Sequence, residues 1–109
     1  MVQKTILKDT PKNLIDAYRK ILERNGIKVE KIILFGSYAK GTPRPWSDLD
    51  ICVVSKQFGK DPHDEMVKLM HLTIDIDPMI EPHPYSPKDL ADFYDPLAYE
   101  INKTGKVIQ

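Results

Sequence analysis

The chain has 109 residues, 41% of them hydrophobic, enough for one modest core over 1–109 and little spare surface for a second domain. Sixteen basic residues balance sixteen acidic ones, so the broad positive field of a non-specific nucleic-acid binder is missing and a polymer substrate is disfavoured. One cysteine, no apolar leader and no stretch approaching about 20 apolar residues argue against an intramolecular disulfide and a membrane span, and for a soluble cytoplasmic protein.

In chain order, Thr10 followed by Pro11 predicts a capped helix over about 11–25, with Leu14, Tyr18, Ile21 and Leu22 at helical spacing. Asn25-Gly26 ends it, and Ile27 to Phe35 reads as the first strand. Gly36 then lets the backbone approach a ligand with no Cβ in the way. Backbone N–H groups at such a strand-to-helix turn, with the Ser37 hydroxyl, form a cradle for an anion such as a triphosphate, and Gly41 closes the short helical turn. Prolines at 43 and 45 make the next loop irregular and stiff. Arg44 and Trp46 in that loop suit contact with a base or a partner, but local packing accounts for them equally well.

A second strand is expected over about 48–55, with Leu49, Ile51 and Val53 toward the core. Asp48 and Asp50, two residues apart, leave its other face together. Side-by-side carboxylates repel unless a cation lies between them, and hard oxygen ligands suit Mg²⁺, which shares its shell with substrate phosphates. Alone, a Gly-Ser is usually a turn and an Asp-x-Asp a solvated strand end; together at this spacing they indicate a nucleotide and metal site. Cys52, inside the same apolar run, reads as a small buried hydrophobe.

Past a polar loop, Asp61-Pro62 opens a helix whose Met66, Leu69 and Met70 are expected in the core, and His63 and His71 lack metal-ligand spacing. Residues 73–80 alternate polar and apolar, which predicts a half-buried strand with Asp75 and Asp77 on its non-core face. Paired beside Asp48 and Asp50, that strand offers either of them as a third carboxylate. Pro78 ends the strand or marks an edge, and Glu81, among prolines, reads as a solvated turn acid. Ser86-Pro87 starts a short helix carrying Leu90 and Phe93, and Asp95-Pro96 starts a last one carrying Leu97, Ala98 and Ile101. Thr104-Gly105 ends it before a short apolar tail. The expected fold is α/β (α+β): a small mixed sheet of three or four strands with helices on one face and a cleft on the other.

Gly36-Ser37-Tyr38-Ala39-Lys40-Gly41 followed by Ser47-Asp48-Leu49-Asp50 resembles the signature of the nucleotidyltransferase superfamily that includes DNA polymerase beta, and most closely its minimal nucleotidyltransferase (MNT) branch. The resemblance implies that Gly36, Ser37, Lys40 and Ser47 bind the nucleotide. Tyr38 stands where relatives often carry a basic residue. It also implies that Asp48 and Asp50 hold two Mg²⁺ ions, or Mn²⁺ in their place, with a third acid a few residues ahead of an Ile-Glu-Pro sequence. That landmark is Ile80-Glu81-Pro82 here, which selects Asp77 over Asp75. Such proteins resemble antitoxins that transfer AMP from ATP to a tyrosine of a separate HEPN-type toxin, so the acceptor would arrive in trans, whereas larger relatives add a helical acceptor domain. A small-molecule transferase of the aminoglycoside-modifying kind, completed by a homo- or hetero-oligomer, and an antitoxin that only binds its partner are the alternatives.

Overall fold

A computed structural model of the protein describes residues 7–109. Nine elements follow one another: α1 (Pro11–Arg24), β1 (Lys31–Leu34), α2 (Ser37–Lys40), β2 (Leu49–Val54), α3 (Pro62–His71), β3 (Ile80–Tyr85), α4 (Pro87–Leu90), α5 (Pro96–Thr104) and β4 (Lys106–Val107). Proline occupies the first turn of α1, α3, α4 and α5, and each is capped by the preceding side chain: Thr10, Asp61, Ser86 and Asp95. These caps give otherwise unpaired N–H groups a partner and set where each helix begins.

The sheet runs β3-β2-β1-β4. β1 pairs antiparallel with β2 and β4, whereas β2 and β3 are parallel, joined by the crossover that contains α3. Alternation then sorts the strands into two faces. Ile32, Leu34, Leu49, Ile51 and Val53 join Leu14, Ile15, Tyr18 and Leu22 of α1 and Leu69 of α3 in the larger core. The Tyr18 hydroxyl, fully buried there, donates to the Leu69 carbonyl at 2.7 Å. Ile33, Cys52 and Val54 point the other way, to Leu90 of α4 and to Ala98 and Ile101 of α5. A mixed sheet with a helix layer is as expected; α4 and α5 add a smaller layer on part of the second face.

The sequence expectations depart from the structure at several places. Regular β1 is shorter than 27–35, although Ile27 and Val29 are buried in their irregular lead-in. The tail forms an edge strand. Met70, expected in the core, is exposed, and Phe93, expected on the short helix with Leu90, lies beyond its end and is exposed. Most consequentially, 73–77 is a turn, held by Thr73 Oγ1 donating to the Met70 carbonyl and by the Ile76 and Asp77 N–H groups donating to the Thr73 carbonyl. The third strand lies further on, over Ile80–Tyr85. Its Pro82 and Pro84 are tolerated because β3 is an edge. The Leu49 N–H donates to the Met79 carbonyl and the Ser55 N–H to the Tyr85 carbonyl, so odd-numbered residues face β2 and both prolines turn their missing N–H outward.

Candidate metal and nucleotide site

The parallel register sets Asp50 opposite Glu81 and Cys52 opposite His83. Asp50, Glu81 and His83 therefore leave the same face of adjoining strands, and one ligating atom from each lies within 4.8 Å of the other two. Asp48 stands two residues before Asp50, exposed at the entry to β2. Above this group the chain leaves β1 through Phe35, whose N–H donates to the Asp50 carbonyl at 3.1 Å. Gly36 follows at φ +74, ψ −154, a combination essentially confined to glycine. A Cβ there would run into Asp50 Oδ2 and sit 3.2 Å from its Cβ and Cγ. The glycine thus lets the cradle turn close over the carboxylate.

Crowding shows in the proton affinities. Burial, then the hydrogen bond and charge of Glu81, then the charge of Asp48 push the Asp50 carboxyl up to about 8. Glu81 moves down, chiefly because Asp50 donates to it, with His83 assisting. Proton affinities pushed apart in this way are what two close carboxylates show when both resist being ionised side by side. Burial pulls His83 below the usual histidine value although Glu81, with an Oε2 to Nε2 separation of 3.7 Å, opposes it. The shift favours the neutral ring, which has a free lone pair. The Phe35 ring sits 5.4 Å from it, tilted by 57°.

The other expected site residues are placed as follows. Ser37 opens α2 directly after Gly36. The Ser47 hydroxyl oxygen accepts the Arg44 N–H at 2.8 Å, pinning the proline loop. Lys40 forms an ion pair with Glu100 of α5 at 3.1 Å. Asp75 is exposed on the turn. Asp77, expected on a strand beside Asp48 and Asp50, is 1% exposed and serves the turn instead. Its Oδ2 accepts the Lys8 N–H at 2.8 Å and its Oδ1 the Met79 N–H at 2.9 Å. The acid that the fold brings to Asp50 is Glu81. From the sequence Glu81 reads as a solvated turn acid and His83 draws no notice, because the prolines hide the strand, although Glu81-Pro82-His83-Pro84-Tyr85 places both side chains on one face.

A divalent cation fits this group on chemical grounds. Asp50 and Glu81 place their donors close enough to share one ion, and a cation there would relieve the repulsion that raises the Asp50 carboxyl. Hard carboxylate oxygens next to an anion cradle are the combination that metal-bound phosphates require.

A profile of the nucleotidyltransferase domain matches residues 15–104. The chain belongs to the nucleotidyltransferase domain family. A Methanocaldococcus jannaschii protein whose name assigns it as a protein adenylyltransferase is 41% identical over 49 residues, 44% of this chain. That match spans 33% of the relative's length. A toxin–antitoxin crystallised with AMP-PNP superimposes with a TM-score of 0.57 at 26% identity, covering 90% of this chain and 72% of that chain. A mutant of the toxin–antitoxin MntA-HpeT gives 0.54 at 24% identity, over 86% and 71% of the two chains. A Sulfolobus solfataricus protein assigned as a nucleotidyltransferase gives 0.57 at 18% identity, over 94% and 89%. The last two likenesses speak for the fold alone.

Proposed function

We propose that the protein transfers a nucleoside monophosphate, AMP from ATP, to a hydroxyl of a partner protein, a tyrosine of a HEPN-type toxin, and so acts as an antitoxin. The observation that carries the chemistry is the Asp50–Glu81 pair beneath Gly36. Two acids stand opposite each other on adjoining strands, with ligating atoms close enough to share an ion, under a turn that only glycine can make. In this reading Asp48, Asp50 and Glu81 hold divalent metal, Mg²⁺ or Mn²⁺, and Glu81 takes the place that the sequence assigned to Asp77. The metal, when bound, would supply charge neutralisation at the phosphates and an activated acceptor oxygen. Gly36 and Ser37 bind the leaving phosphates, Ser47 keeps the proline loop beside them, and Lys40 exchanges Glu100 for phosphate. Glu81, ionised, orients the acceptor hydroxyl or takes its proton. The partner is supported by the toxin–antitoxin neighbours and the adenylyltransferase relative.

The test is incubation with α-labelled ATP, Mg²⁺ and a HEPN-type protein encoded beside this one. Label should appear on a tyrosine of that protein and vanish with Asp50→Asn. Label on an aminoglycoside instead would assign a small-molecule transferase. Tight partner binding without any label transfer would leave a binding antitoxin.

A further inference from the structure

We infer that His83 is a nitrogen ligand of the metal centre, making with Asp50 and Glu81 a mixed oxygen and nitrogen donor set that favours Mn²⁺ or another transition ion over Mg²⁺. The inference rests on the metal reading given above and deepens it. His83 is fixed to the centre by three independent features. The register sets it across from Cys52, on the face that carries Glu81 and one pleat beyond it. Its side chain is only 18% exposed, and the Phe35 ring lies against it. Its Nε2 stands 3.7 Å from Glu81 Oε2. That is too long for a hydrogen bond, yet within the roughly 4.2 Å that two ligands of one ion at about 2.1 Å each can span.

Imidazole is a poor donor for Mg²⁺, which keeps oxygen ligands and water, but a good one for the later first-row ions. A transferase with oxygen ligands alone would take either ion with little preference. One nitrogen donor breaks that equivalence and makes metal identity a property of this chain's own third strand.

The experiment titrates the chelator-treated full chain with Mn²⁺ and separately with Mg²⁺ by calorimetry, and records pulsed EPR of the Mn²⁺ complex with ¹⁵N-labelled histidine. The wild type should prefer Mn²⁺ by about tenfold or more and show coupling to a histidine nitrogen. His83→Gln should lose about tenfold or more of its Mn²⁺ affinity, keep its Mg²⁺ affinity within about twofold, and lose the coupling. Wild-type Mn²⁺ complex without nitrogen coupling overturns the inference whether or not the variant folds. Equal loss of both ions in His83→Gln also overturns it, since His83 would then merely hold Glu81 in place. Glu81→Gln should weaken both ions. If it weakens neither, the metal reading itself fails, a result distinct from failure of the histidine ligand.

Discussion

Gly36 shows how a single missing atom shapes the site. Its positive φ is strained for any L side chain, and a Cβ would enter the space of the Asp50 carboxyl. Gly36→Ala is expected to cost about 1–3 kcal/mol of stability, read as a lower melting temperature, and to weaken divalent-ion binding. Unchanged ion affinity in the folded variant would mean that the cradle does not hold Asp50. Asp50 makes a second prediction. Its folded value lies above the unfolded one, so the stability it contributes is complete below pH 3.8 and is lost as pH rises through about 8. Glu81 has the opposite sign: lowered from 4.5, its contribution is present above that pH and fades on acidification. Metal-free protein should therefore melt highest in mildly acid solution and decline toward pH 9, as thermal scans across pH would show. Asp50→Asn should flatten the alkaline decline; an undiminished decline in that variant would place the titrating group elsewhere.

Among the elements, those that announce themselves through periodicity and caps were legible. α1, α3, α4 and α5 begin at the proline and cap signals, and β2 carries Asp48 and Asp50 at its entry as the alternation implies. The segment 73–85 was not legible, for two physical reasons. Alternation over 73–77 arises from a turn in which Thr73 and Asp77 bind backbone groups while Ile76 packs on the core. The true strand is interrupted by prolines, which an edge accepts and a central strand does not. No local pattern shows which side of a strand is open; that depends on the order β3-β2-β1-β4. The fold accordingly sets Glu81 opposite Asp50 and leaves Asp77 accepting backbone N–H groups at the turn. Asp77→Ala takes the acceptor away from the partly buried Lys8 and Met79 N–H groups, which should cost roughly 1–3 kcal/mol in denaturant unfolding while leaving divalent-ion affinity unchanged at temperatures where the variant is folded. Loss of ion binding without loss of stability would return Asp77 to the site.

At the scale of the molecule, the sheet divides labour between its faces. α1 and α3 bury the apolar one, and the other carries the acids where β2 meets β3, on the same face as the smaller cluster formed with α4 and α5. Among the described residues no helix is long and apolar enough to cross a membrane. Because the acidic face holds like charges without a cation, Mg²⁺ or Mn²⁺ should raise the melting temperature most above pH 7, and ATP should bind far more weakly in chelator than in millimolar Mg²⁺. Equal ATP affinity with and without the ion, measured by calorimetry, would contradict a metal-bridged nucleotide. The central claim is that Glu81 and not Asp77 completes the metal site, and its most direct test is AMP transfer from labelled ATP by Glu81→Gln and Asp77→Asn, side by side at saturating ATP and Mg²⁺. The account predicts a loss of roughly 100-fold or more in Glu81→Gln, since even groups one step removed from a metal cost about 10–100-fold, and near wild-type transfer in folded Asp77→Asn; the reverse ranking would contradict it.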